Sequence, residues 1–167
     1  VIIFDYKNDI NQMITKCRVR AIALLKDKIA LACEDKVLIL NLANNRQEDI
    51  NWKNVSCLKF SPDGEYLVGG DKSGFVKMWN LVSRHEIMSL QAHQHMVKSI
   101  ELNLGRGLII STSLDGIRLN SFFDHCDAII QGNGGFLAGA LHPTDKRFFV
   151  AGNKNGEIVQ FNLENVF

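Results

Sequence analysis

The sequence predicts an all-β fold of repeated four-stranded antiparallel units, and three observations carry that prediction. A strand opening of the form apolar-x-x-apolar-x-apolar recurs at Val19-Ile22-Leu24, Val55-Leu58-Phe60 and Val97-Ile100-Leu102. It returns at Phe136-Gly139-Leu141 with glycine in the middle slot. The starts lie 36, 42 and 39 residues apart, the period of one supersecondary module stacked on its neighbours. The turn pairs Ser73-Gly74, Asp115-Gly116 and Asn155-Gly156 keep the same register, 42 and 40 residues apart. In the clearest unit no helical period competes with this pattern.

Taken in chain order, Val1 to Asp5 reads as a third strand and Gln12-Met13-Ile14 as a fourth, so residues 1–16 end a preceding unit. Residues 17–52 form a compressed unit. Lys26-Asp27-Lys28 and Asp35-Lys36 take its turns, leading into Val37 to Asn41. Residues 53–92 are the most regular. Pro62-Asp63-Gly64 is a tight turn, because proline presets φ, aspartate bonds the following backbone and glycine accepts positive φ. Val76, Met78 and Leu81 then mark a third strand, and Glu86 to Leu90 a fourth. Residues 93–131 repeat the scheme with Leu108 to Ile110 and Ile117 to Phe123. Residues 132–167 supply the first three strands of a further unit, with Phe148 to Val150 and Ile158 to Leu163. Seventeen strands are predicted.

With 46% hydrophobic and 22% charged residues in 167, the chain has the composition of a globular protein. A net charge of +1 without a long block of one sign points to no nucleic acid and no acidic membrane. The densest basic run, Lys16, Arg18 and Arg20, alternates along a strand start and reads as a solvated rim. No apolar run approaches the roughly 20 residues of a membrane span, and the opening lacks the pattern of a signal peptide. Four cysteines, Cys17, Cys33, Cys57 and Cys126, form no CxxC pair. The expectation is therefore reduced thiols in cytoplasm or nucleus rather than a disulfide framework or zinc ribbon. The start without methionine, inside a strand, suggests a piece of something longer.

Ser61-Pro62-Asp63-Gly64 before a strand, a D-G turn after one, Trp79-Asn80 where W-D is expected and Ala92-His93 where G-H is expected together resemble the WD-repeat β-propeller family. That resemblance covers essentially the whole chain and implies four-stranded antiparallel blades around a central channel. Only Trp79 occupies the signature tryptophan slot; Leu40, Asn120 and Phe161 stand in the others. Propellers of this family typically hold about 7 blades of four strands, within a range of roughly 4 to 8, so the seventeen strands are expected to be an arc of a larger propeller. The alternative, a closed ring of four blades, would need Val1 to Phe4 to pair beside the last blade with a misfitting strand count. Leaving on the order of 400 Å² of apolar blade face bare would cost ~10 kcal/mol at about 25 cal/mol per Å². Further blades of the same polypeptide or another chain are expected to cap the ends.

The resemblance further implies a structural hydrogen-bonded network. His93, Ser111 and Asp115 match its slots in the third complete unit, and Trp79 its tryptophan in the second. No catalytic residue, cofactor or metal site is expected. Gly132-Asn133-Gly134-Gly135 lacks the lysine and hydroxyl residue of a phosphate loop. His93 and His95 with His125 and Cys126 straddle a whole unit. Asp63 and Asp145 sit in equivalent turns one repeat apart, and Cys33 and Cys57 read as small hydrophobes.

What remains is surface. The resemblance implies a narrow face where partners dock, and Arg18, Arg20, Trp52, His95, Lys98, Lys72, Leu114 and Lys154 map onto it, with Asn54 and Glu34 beside them. Trp52 has two readings, an anchor for a partner or a side chain packed between blades in place of the missing histidine. The expected function is a non-catalytic scaffold or adaptor in a multiprotein assembly of a eukaryotic cell. The alternative is the substrate-recognition or regulatory propeller of a larger enzyme, a kinase or ubiquitin-ligase component. Val82 and Glu164 stand where receptors of cullin-type ligases often carry arginine, which counts against that ligase role.

Overall fold

Repeating hairpins are what the turn chemistry dictates, and the computed structural model contains them. It describes residues 2–5, 10–13, 17–122, 127–130 and 134–164. Seventeen strands occur among these residues, all paired antiparallel. β1 (Ile2–Asp5) pairs with β2 (Ile10–Met13) in a two-stranded sheet. The first four-stranded sheet orders β3 (Ala21–Leu25), β4 (Lys28–Ala32), β5 (Val37–Asn41) and β6 (Arg46–Ile50). The second orders β7 (Val55–Phe60), β8 (Tyr66–Asp71), β9 (Phe75–Asn80) and β10 (His85–Gln91). The third runs β11 (Ser99–Asn103), β12 (Leu108–Ser113), β13 (Gly116–Ser121) and β14 (Asp127–Ile130). β15 (Phe136–Leu141), β16 (Phe148–Asn153) and β17 (Ile158–Asn162) form the last sheet. The predicted Ile14, His125, Cys126, Gly132 and Asn133 lie outside the described residues.

Each sheet is a meander in which neighbours in sequence are neighbours in space, and the first strand of each sheet packs against the first strand of the next: β3 on β7, β7 on β11, β11 on β15. The sheets are therefore blades arranged side by side, with their first strands innermost. Cores form between them. Ala30, Val37 and Ile39 of the first blade meet Leu58, Phe60 and Leu67 of the second. Val68, Val76 and Met78 meet Val97, Ile100 and Leu102, and Ile110, Ile117 and Leu119 meet Phe136, Leu141 and Phe149.

Positions equivalent in the repeat reveal where this stacking stops. Leu58 and Phe60 of β7 are 8% and 6% exposed because the first blade covers them, while their counterparts in β3, Ile22 and Leu24, are 57% and 67% exposed. Leu137, Val150 and Ile158 are exposed on the last blade. Apolar faces are thus bare at both ends of the four-blade arc.

Two glycines permit close approach between blades. A Cβ at Gly70 would lie 2.4 Å from the Val97 side chain of the next blade. Gly74, in the left-handed region at φ 88°, has the His93 carbonyl 2.0 Å from where a Cβ would stand. Its own carbonyl accepts the His93 N–H at 3.1 Å.

One expectation is overturned: Cys17 and Cys33 are joined in a disulfide, with Cα atoms 6.0 Å apart. The register explains it. Ala21 pairs with Ala32 and the Arg20 N–H bonds the Ala32 carbonyl, so the segment entering β3 runs beside the residue leaving β4. A separation of 16 residues in sequence closes around one hairpin. Cys57 is a free thiol, and burial pushes it up to about 12.

Candidate functional site

The residues between blades build a cationic pocket on one rim of the arc. Its volume is about 450 Å³, and it is lined by Arg18, Val19, Arg20, Ser56, Lys72, Met96, Val97 and Lys98. These come from three consecutive blades. Arg18 and Arg20 enter β3, Lys72 sits in the β8–β9 turn, and Lys98 precedes β11.

Backbone bonds fix three of the four cations. Arg20 donates its N–H to Ala32 at 2.9 Å, Lys72 to Asn54 at 3.1 Å and Lys98 to Thr112 at 2.8 Å. Bonds between blades hold the three rims together: Asn54 N–H to the Glu34 carbonyl at 3.2 Å and Val97 N–H to the Asp71 carbonyl at 3.0 Å. The Ser56 hydroxyl donates to the Val97 carbonyl at 2.6 Å across the pocket floor. Arg20 also pairs with Glu34 at 3.0 Å. Against one carboxylate stand four cations, so the pocket carries net positive charge.

Four of the eight residues predicted for partner binding, Arg18, Arg20, Lys72 and Lys98, line this pocket. His95, Leu114 and Lys154 are exposed on neighbouring loops outside its lining. Lys154 repeats the Lys72 geometry one blade pair further on, its N–H bonding the Gly135 carbonyl at 3.2 Å. Trp52 is corrected. It is only 4% exposed and belongs to the core between the first two blades, so it cannot anchor a partner. Its indole N–H donates to Asp71 at 3.3 Å. It packs against Gly69, as the reading of a side chain packed between blades expects.

The polar network of the third blade is short. The His93 ring bonds Asp115 through Nδ1 and Ser111 through Nε2, both at 2.8 Å. The carboxylate accepts a hydrogen bond from Nδ1–H, so Nε2 accepts one from the Ser111 hydroxyl. Burial pushes His93 below the ordinary imidazole range, more than Asp115 raises it. Burial acts on Asp115 in the opposite direction, but the Gln94 N–H and the His93 ring outweigh it and keep the carboxyl low. A neutral imidazole tied to a buried hydroxyl holds the β10–β11 connection to the β12–β13 turn. Trp79 lies in the preceding blade, packed against the core between the first two blades, and does not join this network. Asn120, in the tryptophan slot, turns instead to Asp127 at 2.8 Å and ties β13 to β14.

Sequence reasoning missed Asp71 and Arg118. Asp71 accepts the Ser73 and Phe75 N–H groups at 2.8 and 3.1 Å as well as the Trp52 indole. Asn153 makes the same backbone pattern one blade pair on, with Asn155 and Glu157 at 3.0 and 2.9 Å. That recurring Asp or Asn two residues before the turn was the available signal. Arg118 donates Nε–H to the Ala92 carbonyl at 2.9 Å. Among the described residues no group of three His, Cys, Asp or Glu side chains is arranged to hold a metal, and no helix is long and apolar enough to cross a membrane.

Residues 50–80, from the end of β6 to the end of β9, match the family model of the WD domain, G-beta repeat. This stretch therefore carries a WD repeat. Over 66 residues it is 33% identical to mitogen-activated protein kinase-binding protein 1 of Mus musculus and to WD repeat-containing protein 62 of Sus scrofa; each match takes in 36% of this chain and 4% of the relative. Periodic tryptophan protein 2 of Arabidopsis thaliana is 29% identical over 66 residues, 40% of this chain and 7% of that one. The matches thus span a small fraction of these relatives' length.

Among solved structures, the WD-repeat arc is similar to the computationally designed Ika4 protein, with a TM-score of 0.74 at 19% identity, covering 89% of this chain and 92% of that one. A chain of the mitotic checkpoint complex gives a TM-score of 0.78 at 18% identity, over 89% of this chain and 48% of that one. At these identities the likeness is one of fold.

Proposed function

We propose that this chain is a non-catalytic protein-interaction module that holds an acidic segment of a partner protein over the pocket lined by Arg18, Arg20, Lys72 and Lys98. The observation that carries the reading is convergence. Four cations from three blades surround one depression of about 450 Å³ in a chain whose net charge is only +1. Concentrating positive charge in a concave site focuses the field on an incoming anion and speeds its encounter. WD repeats as a family serve protein interaction, which agrees with this. The bare faces at Ile22 and Leu24 and at Leu137, Val150 and Ile158 support a second partner class, further blades of the same polypeptide or another subunit that continue the stack.

The test is fluorescence anisotropy of a fluorescein-labelled, glutamate-rich dodecapeptide titrated with the full chain. Affinity is expected to fall as salt rises, because exposed charges are screened over about 8 to 10 Å at physiological ionic strength. Lys72→Glu with Lys98→Glu is expected to weaken binding about fivefold to thirtyfold, at roughly 0.5 to 1 kcal/mol for each charge. Reversal of Lys53, which is exposed outside the pocket lining, is expected to leave it unchanged. Equal loss from both kinds of reversal would refute a defined site.

A further inference from the structure

The disulfide sits next to the two arginines of the pocket. Cys17 immediately precedes Arg18, and the segment 17–20 carries both Arg18 and Arg20 to the rim. At one end this segment is held by the Arg20 N–H on the Ala32 carbonyl and by the Arg20 pair with Glu34. At its other end it is held by the Cys17–Cys33 bond. Cys33 is fully buried among Ile29, Leu31, Leu38 and Leu40, with Cys17 and Val19 packed on that cluster.

We propose that Cys17 and Cys33 form a thiol–disulfide exchange site that sets the position of Arg18 and so regulates the cationic pocket. The oxidised pair fastens the arm against the first blade and presents Arg18 to the bound anion. Reduction removes the covalent tie at the end of the arm next to Arg18, leaving the Arg20 bonds and the packing of Val19, and Arg18 is held less firmly in place.

The chemistry balances with a dithiol as reductant. Its thiolate attacks Sγ of Cys17, the half-buried partner, because Cys33 is closed to solvent. The Cys17–Cys33 bond breaks as a mixed disulfide forms on Cys17, and Cys33 leaves as a thiolate that takes a proton. The second thiolate of the reductant attacks its own sulfur in the mixed disulfide and releases Cys17, which is protonated in turn. The reductant ends as an intramolecular disulfide, having given two electrons. An external disulfide runs the sequence backwards. The apolar surroundings of Cys33 disfavour its thiolate and make the exchange slow. On reduction, Cys33 stays in its cluster as a small apolar residue, so the blade survives and the change is confined to the arm.

The regulatory role rests on the pocket reading above, and two measurements on the full chain keep the claims separate. Peptide-level mass spectrometry after exposure to glutathione disulfide or to dithiothreitol, with alkylation of free thiols, reports the bond itself. It is expected to show Cys17 linked to Cys33 in the first state and both alkylated in the second. Limited trypsin cleavage after Arg18 is expected to accelerate at least fivefold on reduction, and Cys17→Ser is expected to behave as the reduced chain in both buffers. In the anisotropy titration the glutamate-rich peptide is expected to bind about threefold to tenfold more weakly to the reduced chain.

Cys17 and Cys33 both alkylated after the oxidant overturn the proposal. So does a cleavage rate at Arg18 independent of redox state, or equal peptide affinity in the two states. Peptide that binds neither state overturns the pocket reading instead and regulation of it, and the trypsin rates still decide whether the bond holds the arm.

Discussion

Replacing Trp52 by alanine separates the two roles a buried or an exposed indole would have. In the structure the ring is closed between the first and second blades, touching the core that contains Val55, Leu58, Phe60 and Leu67. Truncating a buried tryptophan costs about 3 to 5 kcal/mol in lost transfer energy and residual cavity. The Asp71 carboxylate also loses one donor, but it keeps the Ser73 and Phe75 N–H groups, so this adds about 1 kcal/mol at most. Trp52→Phe keeps most of the volume and removes only the donor at 3.3 Å, and it is expected to cost about 1 to 2 kcal/mol. Urea unfolding of the full chain, followed by far-ultraviolet circular dichroism, reads both as shifts of the midpoint. The peptide titration on the folded variants reads binding. A Trp52→Ala chain of unchanged stability that no longer binds the acidic peptide would refute the argument and return Trp52 to the surface.

Three more outcomes are expected from the same geometry. Phe60→Ala should cost about 3 to 5 kcal/mol, whereas its repeat equivalent Leu24→Ala should change stability by no more than about 0.5 kcal/mol, because Leu24 is bare; equal penalties in urea unfolding would mean that something covers β3. Gly74→Ala should destabilise by more than about 1 kcal/mol, since it combines positive φ with a collision on the His93 carbonyl; a neutral result would contradict the tight crossing. His93 is held neutral by burial, so its folded pKa lies below the unfolded value of about 6.5. Its share of stability is therefore complete above pH 6.5 and is lost as the pH falls, when the unfolded chain takes up a proton that the folded chain refuses. Comparing the urea midpoints of the parent and His93→Gln at pH 7.5 and 5.5 checks this, and a difference that does not shrink at the lower pH would contradict it.

The blades were legible because their signals are local. Proline and glycine turns at fixed spacing, and alternating apolar strands between them, state the meander without reference to anything distant. The bare end faces were legible for the same reason, since a repeat that buries Leu58 and Phe60 declares what Ile22 and Leu24 lack. What depended on relations across the fold was harder to read. Cys17 and Cys33 stand at unremarkable positions in the sequence, and only the hairpin register makes them neighbours. Trp52 was ambiguous because an aromatic residue before a first strand suits either a docking face or a blade junction; the space beside Gly69 decides between them. Arg18 and Arg20 read as a rim because their partners in the pocket, Lys72 and Lys98, lie 54 and 78 residues beyond the respective arginines.

That last separation also explains why a pocket exists in a chain of nearly balanced charge. Cohesion here comes from apolar side chains between the sheets and from backbone bonds between their rims, such as Asn54 to Glu34 and Val97 to Asp71. Neither requires particular side chains on the loops. The polar networks on those loops run through His93, Ser111 and Asp115, through Asp71 and through Asn153, and none of these bonds uses the side chains of Lys72 or Lys98, which lie at positions that stacking leaves uncommitted. Burying charge between blades would cost several kcal/mol per ion without compensating partners, whereas on the open rim the same lysines are solvated and cost the fold little. A cluster of four like charges still repels itself, and the fold holds it together because the backbone anchors of Arg20, Lys72 and Lys98 are fixed independently of their side chains. Such a cluster gains most when an anion enters, and for that reason salt dependence, rather than fold stability, is the property in which the pocket should be sought.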